Sequence, residues 1–126
     1  MANTIVNSPN APAPIGPYSH SVLAGNTLYI SGQIALDAQT GNLISESIEA
    51  ETHQVMKNLQ AILQEAEMGF ADVVKCTIFV KDMNNFARIN EIYGSYFAFN
   101  PPARETVEVS RLPKDVNVEI SAIAVK

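Results

Sequence analysis

The sequence predicts an α+β fold in which two helices cover one face of a mixed β-sheet. Three observations support this fold class: β-like segments precede the first helix, two amphipathic helices alternate with strands, and two more strands close the chain. The predicted order is β-β-β-α-β-α-β-β. With 126 residues, 47% of them hydrophobic, the chain is expected to form one domain, residues 1–126, with its own core.

The N-terminal segment predicts a loop. Four prolines lie between residues 7 and 17, namely Pro9, Pro12, Pro14 and Pro17. Proline fixes φ and lacks an N–H donor, so it is excluded from the interior of regular elements. The segment is either a flexible arm or a rigid loop that delivers Tyr18 to a site.

Strands are expected next at residues 18–23 and 27–31. Gly25 and Asn26 between them tolerate positive φ, which is typical of a tight turn. Residues 33–36 are predicted to continue the sheet.

The clearest helix is predicted over residues 48–68. One apolar face recurs at helical spacing: Ile48, Thr52, Val55, Met56, Leu59, Ile62, Leu63 and Ala66. The helix dipole favours the glutamates near its start, at positions 46, 49 and 51. Gly69 is expected to end the helix as the C′ residue.

The second half of the chain predicts a strand, a helix and two strands. Residues 72–80 are apolar on both faces, which suits a central strand. Residues 81–85 offer an N-cap for a helix that extends to about Phe99, where two prolines follow. Its apolar face is assigned to the core: Phe86, Ile89, Ile92, Tyr93, Tyr96 and Phe97. Strands at 105–109 and 118–125 complete the fold.

The last strand indicates an oligomer. Its apolar residues alternate between the two faces, with Val118, Ile120, Ala122 and Ala124 on one and Ile123 and Val125 on the other. Because the helices cover only one face, the other face is expected to be buried against another subunit.

Charge and composition exclude several classes of function. The net charge is −5 and the eight basic residues are scattered, so phosphate neutralisation, and with it nucleic acid binding, is disfavoured. No segment approaches the ~20 apolar residues needed to span a bilayer, and no signal peptide pattern opens the chain, so a cytoplasmic location is expected. Two histidines and one cysteine make a zinc site improbable, and Cys76 is interpreted as a small buried residue, with a reactive thiol as the alternative.

Candidate chemistry is concentrated near the C-terminus, where Arg104 and Glu119 lie on two strands predicted to be neighbours. Arginine binds a carboxylate through two parallel N–H···O bonds, and a glutamate in a partly dry pocket positions or activates water. From the residues alone, Arg104 is either an anion clamp or half of a surface ion pair. Glu119 is either solvent-facing or a buried functional acid. Tyr18, Ser31 and Thr106 complete the candidate group.

Several blocks of sequence resemble the reactive intermediate deaminase (Rid) family, and most closely its RidA branch of enamine/imine deaminases. They are IGPYS (15–19), YISGQ (29–33), FVKD (79–82), PAR (102–104), RLPKD (111–115) and VEI (118–120). The resemblance extends from about residue 4 to the C-terminus, and the blocks are specific only in combination.

This resemblance implies a chorismate-mutase-like fold and a homotrimer with a central barrel and ligand sites between subunits. It implies hydrolysis of 2-iminobutanoate and 2-iminopropanoate, released by pyridoxal-phosphate dehydratases, to 2-oxo acids and ammonia, without metal or organic cofactor. Relatives are also described as ribonucleases that inhibit translation. A non-catalytic carboxylate-binding or holdase-like trimer is a third possibility.

The resemblance also implies residue roles. Arg104 would clamp the substrate carboxylate, and Glu119 would position the attacking water and transfer protons. The remaining expected contacts are Tyr18, Ser31, Gly32, Thr106 through its backbone, and Asn90 behind the residues that touch the substrate.

Two positions depart from the family pattern. Many RidA-like chains have a small residue in place of Glu105 and a cysteine in place of Thr106. Strand alternation predicts that Glu105 points away from Arg104. If it does not, it would compete with the substrate carboxylate.

Overall fold

The computed structural model describes residues 3–126, which form one six-stranded sheet with two helices on one face. The strands are β1 (Thr4–Val6), β2 (Ser21–Ala24), β3 (Thr27–Gln33), β4 (Val73–Val80), β5 (Ala103–Glu108) and β6 (Val118–Val125), and the helices are α1 (Ile48–Glu65) and α2 (Phe86–Ser95). The predicted α+β class is confirmed. The observed elements also follow the order β-β-β-α-β-α-β-β, although the first three strands are not the three that were predicted.

The strand order across the sheet is β1-β2-β3-β6-β4-β5. All neighbouring pairs are antiparallel except β4 and β5, which α2 connects in parallel. The prediction that the strands carrying Arg104 and Glu119 are neighbours is wrong. The α2 crossover places β5 on the outer side of β4, whereas β6 returns between β3 and β4.

The first three strands differ from those expected. β1 was not predicted, since three residues are too few to show a period of two, and it pairs with β2. Residues 33–36 do not form a separate strand: β3 ends at Gln33, and Leu36 forms an isolated bridge with Leu43. The tight turn after β2 is present, with Gly25 at a φ of 63°.

Both helices end earlier than predicted. α1 stops at Glu65, and Glu67 adopts the left-handed conformation with a φ of 59°. The backbone N–H groups of Glu67 and Met68 donate to the carbonyls of Gln64 and Leu63, which is the Schellman pattern. Gly69 is therefore not the C′ residue. α2 ends at Ser95, although Phe97 remains buried beyond it.

The core lies between the helices and one face of the sheet. Along β6 every second residue is buried, namely Val118, Ile120, Ala122 and Ala124, and these pack in one cluster with the apolar side of α1. Cys76 is 1% exposed in the same cluster, as expected for a buried structural residue. The opposite sheet face, called the open face below, carries Tyr29 at 51% exposure and the half-buried Ile123.

A buried carboxylate joins α1 to the beginning of β6. Glu51 is 2% exposed. It accepts hydrogen bonds from the backbone N–H groups of Asn117 and Val118, at 2.8 and 3.2 Å, and from the Asn117 side-chain amide at 2.9 Å. The sequence pattern assigned Glu51 only to the helix dipole. Its main role is to fix the strand that carries Glu119.

We expect Glu51→Gln to destabilise the protein by roughly 2–3 kcal/mol, because the amide nitrogen that replaces one carboxylate oxygen cannot accept a hydrogen bond, and the bonds to the remaining oxygen lose their charge assistance. Urea unfolding measures the loss. The control is Glu49→Gln in the same helical turn, which removes an exposed pair with Arg88 and should have a much smaller effect. Equal losses for the two variants would contradict the role given to Glu51.

Candidate functional site

Glu119 lies in a cleft of about 410 Å³ on the open face. We call this the glutamate cleft; it is lined by Ile15, Gly16, Tyr18, Ser31, Gly32, Ile34, Pro113 and Glu119. Three residues expected in the site, Tyr18, Ser31 and Gly32, therefore lie together with Glu119. The apolar lining residues Ile15, Ile34 and Pro113 were not predicted, since loop positions carry no periodic signal.

The Glu119 carboxylate is partly dry and has no hydrogen-bond donor among residues 3–126. Its side chain is half-buried, and burial raises the pKa of its carboxyl above the ordinary value. Glu119 thus lies between the two positions left open by the sequence, since it is neither fully solvent-facing nor fully buried, and its function as an acid stays a prediction. A carboxylate with a raised pKa and no fixed partner is suited to accept and return a proton.

Gly32 makes room for the Glu119 carboxylate. The pairing of β3 with β6 shifts register between Ile30 and Gln33, so Ser31 and Gly32 form a bulge beside Glu119. A Cβ atom at Gly32 would lie 2.6 Å from Glu119 Oε2. Only glycine allows this approach without displacing the carboxylate.

The proline-rich loop is held in place beside the cleft. His20, 2% exposed, accepts a hydrogen bond from the Ser8 backbone at Nδ1 and contacts the Pro12 carbonyl through Nε2 at 2.6 Å. The Tyr18 hydroxyl accepts from the Ile15 backbone at 3.4 Å. These contacts support the rigid-loop interpretation, in which Tyr18 is delivered to the site.

Ser31 joins that loop to the bulge. Its hydroxyl donates to the Ser19 carbonyl at 2.7 Å, and its backbone N–H donates to the His20 carbonyl at 2.9 Å. The hydroxyl proton is thus committed to the loop, while its lone pairs remain available as acceptors.

Arg104 lies on the opposite side of the sheet, against α2. Its Nη1 donates to Asn90 Oδ1 at 2.6 Å. The guanidinium carbon lies 5.5 Å from the Phe86 ring centroid and 5.1 Å from that of Tyr93, within cation–π range. We call Phe86, Asn90 and Tyr93 the arginine platform. The sequence assigned both aromatic residues to the core; their i, i+4, i+7 spacing with Asn90 was the signal that they share a face.

Arg104 has no acidic partner in the part of the chain that the structure describes. The ion pairs there join Lys75 to Glu105, Arg88 to Glu49, and Arg111 to Asp115. Arg104 is therefore not half of a surface ion pair within the chain. Glu105 points to the other face, as strand alternation predicts, and does not compete for Arg104.

One chain does not bring Arg104 and Glu119 together. Arg104 is in register with the buried Cys76 on the helix side, whereas Glu119 is in register with Phe79 on the open face. Thr106 lies on the same side of β5 as Arg104, and its buried Oγ1 has no hydrogen-bond partner among residues 3–126. The expected site residues thus divide into two groups, one in the glutamate cleft and one at the arginine platform.

Residues 3–126 contain neither a metal-binding cluster nor a membrane-spanning helix. No group of three or more His, Cys, Asp or Glu side chains there is arranged to hold a metal ion. No helix in this range combines the length and apolarity needed to cross a membrane.

Comparison with known proteins identifies the family. The model of the endoribonuclease L-PSP family matches residues 8–126. The chain belongs to this family, also called YjgF/RidA. A RutC family protein of Pyrococcus horikoshii is 52% identical over 97% of both chains. The human 2-iminobutanoate/2-iminopropanoate deaminase is 43% identical over 100% of this chain and 92% of its own.

The fold agrees with that of solved YjgF/RidA structures. Escherichia coli TdcF, solved with bound serine, superimposes with a TM-score of 0.94 and 39% identity over 98% of each chain. The family fold implied by the sequence blocks is confirmed. The RidA family thus includes relatives named for imine deamination and one that holds a small amino acid.

The raised pKa of Glu119 gives a testable pH dependence. Because the folded-state pKa exceeds the unfolded value, wild type loses stability as pH rises through the folded pKa, and Glu119→Gln avoids that loss. The quantity to measure is the urea midpoint of Glu119→Gln minus that of wild type. We expect this difference to be larger at pH 8 than at pH 4. A difference between variant and wild type that stays constant across this range would contradict the assigned environment.

Proposed function

We propose that this protein hydrolyses small 2-imino acids, such as 2-iminobutanoate and 2-iminopropanoate, to 2-oxo acids and ammonia. The observation that carries the proposal is that two charged side chains, Arg104 and Glu119, lack a partner of opposite charge among residues 3–126. Glu119 is a partly dry carboxylate with a raised pKa in a cleft. Arg104 is exposed and hydrogen-bonded to Asn90, and it forms no ion pair within the described residues. The deaminase names of the human and rat relatives support the same reaction.

We propose that each site is formed by two chains of a homotrimer. Arg104 and Glu119 lie on opposite faces of the sheet, so a substrate that contacts both needs Arg104 from one subunit and Glu119 from its neighbour. The open face, with exposed Tyr29 and half-buried Ile123, supplies the apolar surface for packing sheets into a central barrel.

In the proposed reaction Arg104 binds the substrate carboxylate and orients the C=N bond over Glu119. Glu119 accepts a proton from water as the water oxygen adds to the imine carbon. It then returns that proton to the nitrogen, which gives the neutral carbinolamine. In the second step Glu119 transfers the carbinolamine hydroxyl proton to the amino group, so that the C–N bond breaks, ammonia leaves and the C=O bond of the 2-oxo acid forms. The imine is already electrophilic, so positioning and proton transfer suffice. No cofactor enters this scheme.

The remaining contacts have supporting roles. Tyr18 lines the cleft, Ser31 and Gly32 offer polar and backbone contacts, Thr106 contributes its backbone beside Arg104, and Asn90 orients the guanidinium. The side-chain space beside Ile15 and Ile34 suits a short apolar substituent. We propose a cytoplasmic role in removing reactive products of amino-acid metabolism.

The family description favours one other function, cleavage of RNA. A net charge of −5 with scattered basic residues opposes it electrostatically. RNA cleavage by purified protein that disappears in Arg104→Ala would support this alternative. Tight 2-oxo acid binding without turnover would instead indicate a carboxylate-binding or holdase-like trimer.

We expect Glu119→Gln to lower kcat about 10²- to 10⁴-fold, as loss of a general acid–base does. Arg104→Ala should raise KM roughly ten- to hundredfold, because charged hydrogen bonds to the carboxylate are lost. Both are measured with 2-iminobutanoate generated in situ by an amino-acid oxidase or dehydratase. Wild-type rates in either variant would refute the assigned role.

The two-chain site predicts complementation between the two impaired variants, assayed at a substrate concentration well below the KM of Arg104→Ala. When Arg104→Ala and Glu119→Gln subunits are co-expressed with different tags at equal amounts, about a quarter of the subunit junctions regain both residues. Mixed trimers isolated through both tags should therefore exceed the activity of either parent under these conditions. If both residues acted from one chain, the mixed trimers would be no more active than the two parents.

Gly32→Ala should reduce kcat nearly as much as Glu119→Gln, because the new methyl group displaces the carboxylate. The matched control is Gly94→Ala in α2, where an added Cβ meets no atom within 4 Å. The control should keep full activity and gain about 0.5–1 kcal/mol of stability from helix propensity. Full activity in Gly32→Ala would show that the close approach to Glu119 is not needed.

A further inference from the structure

The arginines at positions 88, 104 and 111 differ in which guanidinium nitrogen atoms form their hydrogen bonds. Arg88 and Arg111 each bind a carboxylate through Nε and Nη2, to Glu49 and Asp115 respectively. Arg104 makes its hydrogen bond through Nη1 instead, to Asn90. The Nε/Nη2 edge, which binds a carboxylate in Arg88 and in Arg111, has no hydrogen-bond partner in Arg104 among residues 3–126.

Two aromatic rings restrict the guanidinium that carries this edge. The Phe86 ring lies 5.5 Å and the Tyr93 ring 5.1 Å from the Arg104 guanidinium carbon. Tyr93 is 4% exposed and belongs to the core, whereas Phe86 is only partly buried at the first turn of α2. Tyr93 therefore has a packing role independent of Arg104, and Phe86 is the ring whose replacement most selectively tests the contact.

We propose that Phe86 is a positioning residue that, with Asn90, holds Arg104 so that its Nε/Nη2 edge is ready for a planar carboxylate. This inference rests on the proposed function. Asn90 occupies the opposite nitrogen, and the ring limits rotation of an otherwise exposed side chain. Ordering the guanidinium before binding reduces the side-chain entropy lost when the carboxylate arrives. The ligand class is a small monoanionic 2-imino or 2-oxo acid, bound through two parallel hydrogen bonds.

The test compares three variants. Phe86→Leu removes the ring but keeps an apolar side chain, whereas Phe86→Tyr keeps an aromatic ring. The control is Phe70→Leu, which makes the same Phe-to-Leu change at a ring that packs on Tyr96 and Phe97 and not on Arg104. We expect Phe86→Leu to raise KM for 2-iminobutanoate about two- to fivefold with kcat nearly unchanged. Phe86→Tyr and Phe70→Leu should both have the KM of wild type.

Two further measurements separate this inference from the proposed function. Binding of 2-oxobutanoate should weaken by the same factor in Phe86→Leu, while binding of the uncharged 2-oxobutanamide should not change. In the ligand-free protein, ¹⁵N relaxation at the Arg104 Nε should show greater mobility in Phe86→Leu than in wild type or Phe86→Tyr.

The outcomes distinguish failure of the proposed imine hydrolysis from failure of the positioning role of Phe86. A wild type that binds 2-oxobutanoate but hydrolyses no imine refutes the proposed function, and the binding and relaxation measurements still decide the role of Phe86. Equal changes in Phe86→Leu and Phe70→Leu, no rescue by Phe86→Tyr, or unchanged Arg104 mobility would overturn the positioning role.

Discussion

The position of β6 between β3 and β4 is the constraint on which the rest of this structure depends. Strand side chains alternate between the two faces of a sheet, and the buried Val118 and Ile120 fix which face of β6 meets the helices. Glu119, between them, must then point to the open face. A slip of one residue would bury the carboxylate beneath α1 and expose the core residues, so the site and the core share one register.

Two glutamates that lie near the start of β6 in space differ in their hydrogen-bond partners, and their roles differ accordingly. Glu51 lies inside the protein with three hydrogen bonds to Asn117 and Val118, so its charge is satisfied and it stabilises the junction between α1 and β6. Glu119 is half-buried without a protein donor, and its pKa rises. An unsatisfied acid disfavours folding at neutral pH, which is the expected compromise at a site where the carboxylate acts on water.

In the arginine platform, residues of one helix serve both core packing and contact with Arg104. Tyr93 packs on the core at the buried side of α2, and its ring also lies beneath Arg104. Phe86 and Asn90 lie on the more exposed part of the same helix face and contact the Arg104 guanidinium, which binds no carboxylate among residues 3–126. Apolar periodicity alone assigned both rings to the core, because burial of a ring and stacking of a guanidinium on that ring require the same spacing along the helix.

The sequence by itself determined the fold class, β6 from Val118 to Val125, and the candidate residues Arg104 and Glu119, because strong periodicity and specific sequence blocks are local properties. β1 and the bulge at Gly32 were missed because their geometry depends on pairing with distant segments. The helix end at Glu67 was missed because a residue other than glycine adopts the left-handed conformation there. Only the tertiary structure decided that β4 separates β5 from β6 and that the arginine and the glutamate face opposite sides. That decision depends on strand order, which follows from how α2 packs on the sheet and is not encoded in the spacing of any one segment.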